Sequence, residues 1–392
     1  MTVGHGTSRW VWGLAVVAGV VALVLGGCLG LLPLLFPTEL SGTLIPLIGY
    51  GLIALTLGLS LCVVGIRGWQ QRPVLLFHSR WAWVVFLLLS LVLGAVGVSL
   101  RSESQSGVLF GAIHFALIAL PGLLIFSLLS LAAGASSALS IRRMLLGVVG
   151  GAASIVLALP VEVIGFVLSA VAVTVVMIML PQGGAEIDRV MQLLGSLQGM
   201  TEIDESDLLA LLSSPLVLAT LGVTLAVITP AIEEAVKTLA TGVLGLWRKT
   251  ALLPSFLMGA ACGLGFALFE GVGNGALGLA TAWGAGVALR FLATGMHALT
   301  SGIVGLGWGW FWRGKRWLLP LCYVTAFLLH GLWNLNVVLS LAGASLMGTS
   351  EVLASISVAM GVLIQLGLVM VVITGLIAIP FVLRRGERGD DR

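Results

Sequence analysis

Pro230-Ala231-Ile232-Glu233-Glu234-Ala235-Val236-Lys237 stands between two apolar runs, Leu216 to Thr229 and Leu239 to Trp247, and the whole reads as one membrane helix. Two carboxylates and an ammonium are costly inside such a run. A single ionisable group at the centre of a transmembrane helix costs about 2.5–3.5 kcal/mol, which marks it as functional by default. Here there are three within five residues. The surrounding chain reads as what houses and supplies this stretch.

Composition sets the solvent. The chain has 392 residues, 59% of them hydrophobic and 9% charged, with a mean hydropathy of +1.16. Soluble domains carry about 25% charged residues, so the chain is an all-α, polytopic integral membrane protein embedded in the lipid bilayer. The net charge of +3 comes from basic residues spread over short connections, not gathered in a patch, and nucleic acid is not expected as a partner. Cys28, Cys62, Cys262 and Cys322 all fall within apolar runs and lack metal-type spacing, so a disulfide framework is not expected. Val11 to Phe36 is longer than the apolar core of a signal peptide and reads as the first span.

At about 20 apolar residues per span, ten helices are expected, at 11–36, 43–65, 81–100, 107–132, 144–180, 215–247, 254–275, 284–312, 318–342 and 355–383. The fifth holds Pro160, followed by Glu162, and a kink is expected there. With both termini cytoplasmic, fifteen Lys and Arg fall on the inner side, among them Arg67, Arg143, Arg313, Lys315, Arg316, Arg384 and Arg385. Only Arg101 and Arg189 fall outside, the bias that sets topology in membranes. Trp247, Trp308, Trp310, Trp312 and Trp317 gather at the same inner boundary. Residues 181–214 form a long acidic connection with Glu186, Asp188, Glu202, Asp204, Glu205 and Asp207. Apolar residues interleave with these acids, as in amphipathic turns at an interface. Gly259-x-x-x-Gly263 and Gly271-x-x-x-Gly275 permit close helix packing.

Four successive helices carry their costliest residues at one depth. Glu234 is 14 residues from Arg248, Glu270 is 16 from Pro254, His297 is 16 from Arg313 and His330 is 14 from Arg316. At 1.5 Å per residue these are all about 21–24 Å along their helices. The polar residues also keep to single faces. Glu233 and Lys237 are at i,i+4, as are Glu270 and Asn274, and His330 and Asn334, while Arg290, Thr294, His297 and Ser301 form one stripe. Such faces are expected to line one wet cavity. His114, alone on its helix, reads as a structural histidine.

Peptide hydrolysis inside a membrane needs a held water, a base and donors for the oxyanion. A buried glutamate can be that base, and His330 and Asn334 can donate to a carbonyl oxygen. Glu270, His297 and His330 would alternatively make a carboxylate–imidazole set for zinc with one position open. A third reading is non-proteolytic, with the same cavity binding a ligand or passing protons or ions.

Glu-Glu-x-x-Lys (Glu233, Glu234, Lys237), Phe-x-x-x-Glu (Phe266, Glu270) and His-x-x-x-Asn (His330, Asn334), in this order on successive helices, resemble the PrsW family of intramembrane proteases. That family is related to the CAAX-prenyl protease and bacteriocin-immunity membrane proteins. The resemblance covers 215–342. It implies that Glu233 is the water-activating base with Glu234 and Lys237 in support, and that His330 and Asn334 stabilise the oxyanion. The family's metalloprotease character implies ligand roles for Glu270, His297 and His330. Where CAAX-type relatives have histidine this chain has Glu270, and where PrsW proteins often have aspartate it has Asn334, which can donate to an oxyanion but cannot act as a base. The resemblance further implies a bacterial inner-membrane enzyme that cleaves a membrane-anchored protein, with site-1 cleavage of an anti-sigma factor as the family's best-known activity. On this reading 1–143 is a four-helix N-terminal membrane region. Residues 144–214 are a long kinked helix and acidic extracytoplasmic loop, 215–342 the four-helix catalytic core, and 343–392 the final helix and basic cytoplasmic tail.

Overall fold

The structure, a computed structural model, describes residues 9–35, 44–71, 81–100, 108–133, 141–197, 210–247, 251–276, 283–345 and 351–389. Its elements are helices: α1 Arg9–Leu35, α2 Leu44–Trp69, α3 Ala82–Leu100, α4 Val108–Ala133, α5 Ile141–Ile178, α6 Gly183–Leu197, α7 Pro215–Val223, a π-helical turn Thr224–Ile228, α8 Thr229–Val236, α9 Leu239–Trp247, α10 Leu252–Ala276, α11 Trp283–Trp312, α12 Leu318–Ser345 and α13 Glu351–Gly389. No strand occurs among the described residues. Among the described residues ten spans are long and apolar enough to cross a membrane, and each overlaps one of the ten expected from sequence.

Several sequence-based expectations fall on residues that are not described. Arg72, Arg80, Arg101, Arg248, Lys249 and Arg392 of the charge bias, and Glu202, Asp204, Glu205 and Asp207 of the acidic connection, lie outside the described residues. So do the side chains of Arg9, Arg142, Trp247, Asn274 and Arg388.

The structure corrects the expectation of a single continuous helix over 215–247. A π-helical turn precedes Pro230, and Lys237 and Thr238 form a turn between α8 and α9. Proline is the physical reason for the first interruption. It has no N–H to donate, and its ring crowds the preceding turn. α5, in contrast, passes Pro160 as one 38-residue helix.

The chain divides into two compact units. The first comprises Met1–Ile155, Lys237–Cys322 and Ile373–Arg392. In it α10 is buried along most of its length and packs against α11, α4 and α2. Close approach is possible because of small residues. Methyl groups added at Gly259 and Gly263 would stand 2.2 Å from the Ser301 carbonyl and 2.1 Å from the His297 carbonyl of α11. Phe110, Ile113, Leu117 and Trp283 form one apolar cluster, and Ile53, Ile118 and Val272 another. His114, buried among them, accepts a hydrogen bond at Nδ1 from Trp283 Nε1 at 3.1 Å.

The second unit comprises Val156–Val236 and Tyr323–Val372. α5 joins the π-helical turn through Ser169 Oγ and Thr224 Oγ1 at 2.5 Å. The amphipathic α6 secures the start of α7. Glu186 bonds the Ser214 hydroxyl, Ser214 caps α7 by accepting from the Val217 N–H, and Arg189 donates to the Ala210 carbonyl. α12 and α13 are tied by Asn336 Nδ2, which donates to the Gly361 carbonyl and to Gln365 Oε1. The apolar side chains of α5 and α13 are widely exposed, including Val156, Leu168, Met360 and Leu363. Such exposure suits a hydrocarbon solvent.

Candidate active site

In the second unit the candidate residues sit where α12 runs antiparallel to the segment from α7 to α8. Tyr323, His330 and Asn334 are spaced 7 and 4 residues apart and so share one face of α12. Tyr323 Oη donates to the Ala231 carbonyl at 2.7 Å. His330 Nδ1 is 2.9 Å from Glu234 Oε1, and His330 Nε2 is 3.8 Å from Glu233 Oε2. All three of these acid and imidazole side chains are buried. The Glu234 carboxylate can only accept, so the proton between it and His330 lies on Nδ1. That fixes the ring and turns Nε2 toward Glu233.

Asn334 reaches the backbone of the facing segment. Its Nδ2 donates to the Leu225 carbonyl at 2.8 Å, within the π-helical turn. Between His330 and Asn334, Gly331 allows α12 to come close, since a methyl there would be 2.5 Å from the Ala226 carbonyl.

In the first unit a chain of four ionisable groups runs from α11 through α10 to the turn after α8. Arg290 Nη1 donates to Glu270 Oε1 at 2.8 Å, and the other carboxylate oxygen is 2.9 Å from His297 Nε2. His297 Nδ1 is 2.8 Å from Lys237 Nζ. An ammonium has only donors, so Nδ1 accepts and Nε2–H donates to Glu270. Lys237 is wholly buried and lies 4.5 Å from the centroid of the Phe266 ring. A cation over an aromatic face recovers part of the attraction it loses on leaving water. Thr238, next in the turn, accepts from Trp308 Nε1 at 3.2 Å.

The expected stripe of Arg290, Thr294, His297 and Ser301 is present, with Thr294 Oγ1 donating back to the Arg290 carbonyl. Of the ligand set read from sequence, Glu270 and His297 are brought into direct contact. Sequence reasoning overlooked Tyr323, although it lies two turns before His330 on the same face, and it overlooked the irregular turn that Pro230 signals.

Acids and imidazoles buried within apolar spans suit a class of enzyme, the hydrolases that cut peptide bonds within the bilayer. Residues 128–374 match the model of a family described as PrsW family intramembrane metalloprotease. The chain belongs to that family and is an intramembrane protease acting on a membrane-protein substrate. The match is wider than 215–342 and takes in α5, α6 and more than half of α13. No curated protein and no solved structure matches the chain.

Proposed function

We propose that the hydrolytic centre is built on Glu233 and His330 and holds one metal ion, zinc. The observation that carries this reading is the setting of His330. One ring nitrogen is fixed by Glu234, and the other faces Glu233 Oε2 across 3.8 Å. Two ligands on one tetrahedral zinc are separated by about 3.4 Å, given metal–ligand bonds near 2.1 Å. The 3.8 Å gap is thus close to a ligand separation and too long for a hydrogen bond. The donors suit the family's metal. Glu233 and His330 are buried and each offers one ligand atom, and a carboxylate fixing the far nitrogen of a ligating imidazole is the usual supporting arrangement. When bound, the ion would make water nucleophilic near neutral pH and polarise the scissile carbonyl.

Glu270 is held by Arg290 and His297 on its two oxygens, and in this reading it orients His297 instead of ligating. Glu233 Oε2 stands beside His330 Nε2, while Glu233 Oε1 takes the proton of the attacking water and delivers it to the leaving amine nitrogen. The water oxygen bonds to the scissile carbonyl carbon and the C–N bond breaks, leaving a carboxylic acid and an amine. The cellular reading is a bacterial inner-membrane enzyme with both termini cytoplasmic. Its substrate is a membrane-anchored regulator of the anti-sigma-factor kind. The skew of basic residues supports the orientation, and family membership supports the substrate.

The test is metal analysis of the full chain purified in detergent, beside Glu233→Ala and His330→Ala. It is paired with cleavage of a single-span reporter tagged at both ends. About one zinc per chain in the wild type, lost in both variants, together with no reporter cleavage by Glu233→Gln, is the expected result. A metal-free preparation that still cleaves the reporter would overturn the ligand set.

A further inference from the structure

We propose that Asn334 is a positioning residue: its side chain holds the π-helical turn in place and so sets the rotation of Glu233 and Glu234 toward His330. This inference rests on the reading of Glu233 as a member of the hydrolytic centre.

The argument is one of backbone accounting. In an α-helix the Leu225 carbonyl would accept from the N–H of Thr229. Here the Thr229 N–H goes instead to the Thr224 carbonyl, five residues back. The π-type donor for Leu225 would be residue 230, which is proline and has no N–H. Both backbone donors for this carbonyl are therefore lost, at a depth where no bulk water can replace them. Asn334 Nδ2 supplies the missing hydrogen bond at 2.8 Å. Without it, the Thr229 N–H does better by returning to Leu225, which removes the irregular turn. Each π-type turn carries one extra residue, so its loss rotates everything that follows by about 100°. Such a rotation takes the Glu234 carboxylate away from His330 Nδ1. The amide that looks like an oxyanion donor in the sequence thus gives an N–H to the helix that carries the acids. Gly331 and Tyr323 serve the same seam, the first by permitting contact at Ala226 and the second by bonding Ala231.

The proposal is tested by a double-mutant cycle of Asn334→Ala and Pro230→Ala in the full chain. It is read by amide hydrogen exchange over 224–236 and by kcat and KM on the tagged single-span reporter. Asn334→Ala alone should speed exchange in this segment about tenfold and lower kcat with little change in KM. Pro230→Ala restores an N–H that can bond the Leu225 carbonyl, so in that background the exchange penalty of Asn334→Ala should largely vanish. Equal penalties in both backgrounds would overturn the proposal. So would a loss of kcat with exchange over 224–236 unchanged, since Asn334 would then be acting on the substrate. If the wild-type chain cleaves no reporter, the proteolytic reading fails, while the exchange arm still decides whether Asn334 holds the turn.

Discussion

Replacing Gly263 with alanine tests how tightly the helix carrying Glu270 sets the position of His297. The added methyl would stand 2.1 Å from the His297 carbonyl oxygen, 2.6 Å from its carbonyl carbon and 2.9 Å from Ser301 Oγ. Ordinary contact begins at 3.4 Å, so α10 and α11 must separate by about 1.3 Å at this point. The obstacle is backbone, which cannot swing aside as a flexible side-chain tip could. Overpacking of this kind costs about 1–3 kcal/mol. A shift of about 1 Å in a catalytic group can cost 100-fold in rate, and here the group displaced is His297 with its bonds to Glu270 and Lys237. Thermal unfolding in detergent and reporter cleavage are the assays. Gly286→Ala on α11, the helix of His297, is the control, because a methyl there meets nothing within 4 Å and helix propensity alone favours it by up to about 1 kcal/mol. A Gly263→Ala protein with wild-type midpoint and wild-type kcat would refute the reasoning.

Arg290→Met removes one partner of a pair whose side chains are 28% and 19% exposed. The loss should be about 1–3 kcal/mol, below the 3–5 typical of fully buried pairs. It is measured as a lowered unfolding midpoint, and Arg290→Met combined with Glu270→Gln should recover part of it. Tyr323→Phe deletes the bond to the Ala231 carbonyl and should cost about 0.5–1.5 kcal/mol in stability, with a fall in kcat because α8 loses an attachment. An unchanged kcat would show that Asn334 and Glu234 hold α8 without it.

Much of the fold could be read from the chain because lipid imposes simple demands. Val11 to Phe36, or 318–342, can only be spans, and all ten were located from length and hydropathy. The polar faces were legible for a related reason. Glu233, Glu234, His297 and His330 are so costly in hydrocarbon that their presence signals partners, and the structure supplies them. Partner choice was not legible. Lys237 is bonded to His297, 60 residues on, and no i,i+4 spacing around Lys237 points to that partner. The partner of Asn334 was equally hidden: an amide is suited both to an oxyanion and to a stranded carbonyl. Which one it meets depends on whether Thr229 bonds four residues back or five, a choice that no periodicity in the sequence reveals.

The irregular turn also changes how this chain tolerates insertion and deletion. Residues 215–223 and 229–236 belong to two helical wheels offset by about 100°, and they face different constituencies. The first wheel is tuned to its apolar surroundings and the second to His330. Because the offset amounts to one residue, a single deletion within 224–228 would merge the wheels and keep the hydropathy of the span nearly intact. The resulting protein would insert as before with its acids turned elsewhere. Lesions that are silent for membrane targeting and severe for chemistry should therefore concentrate in those five positions.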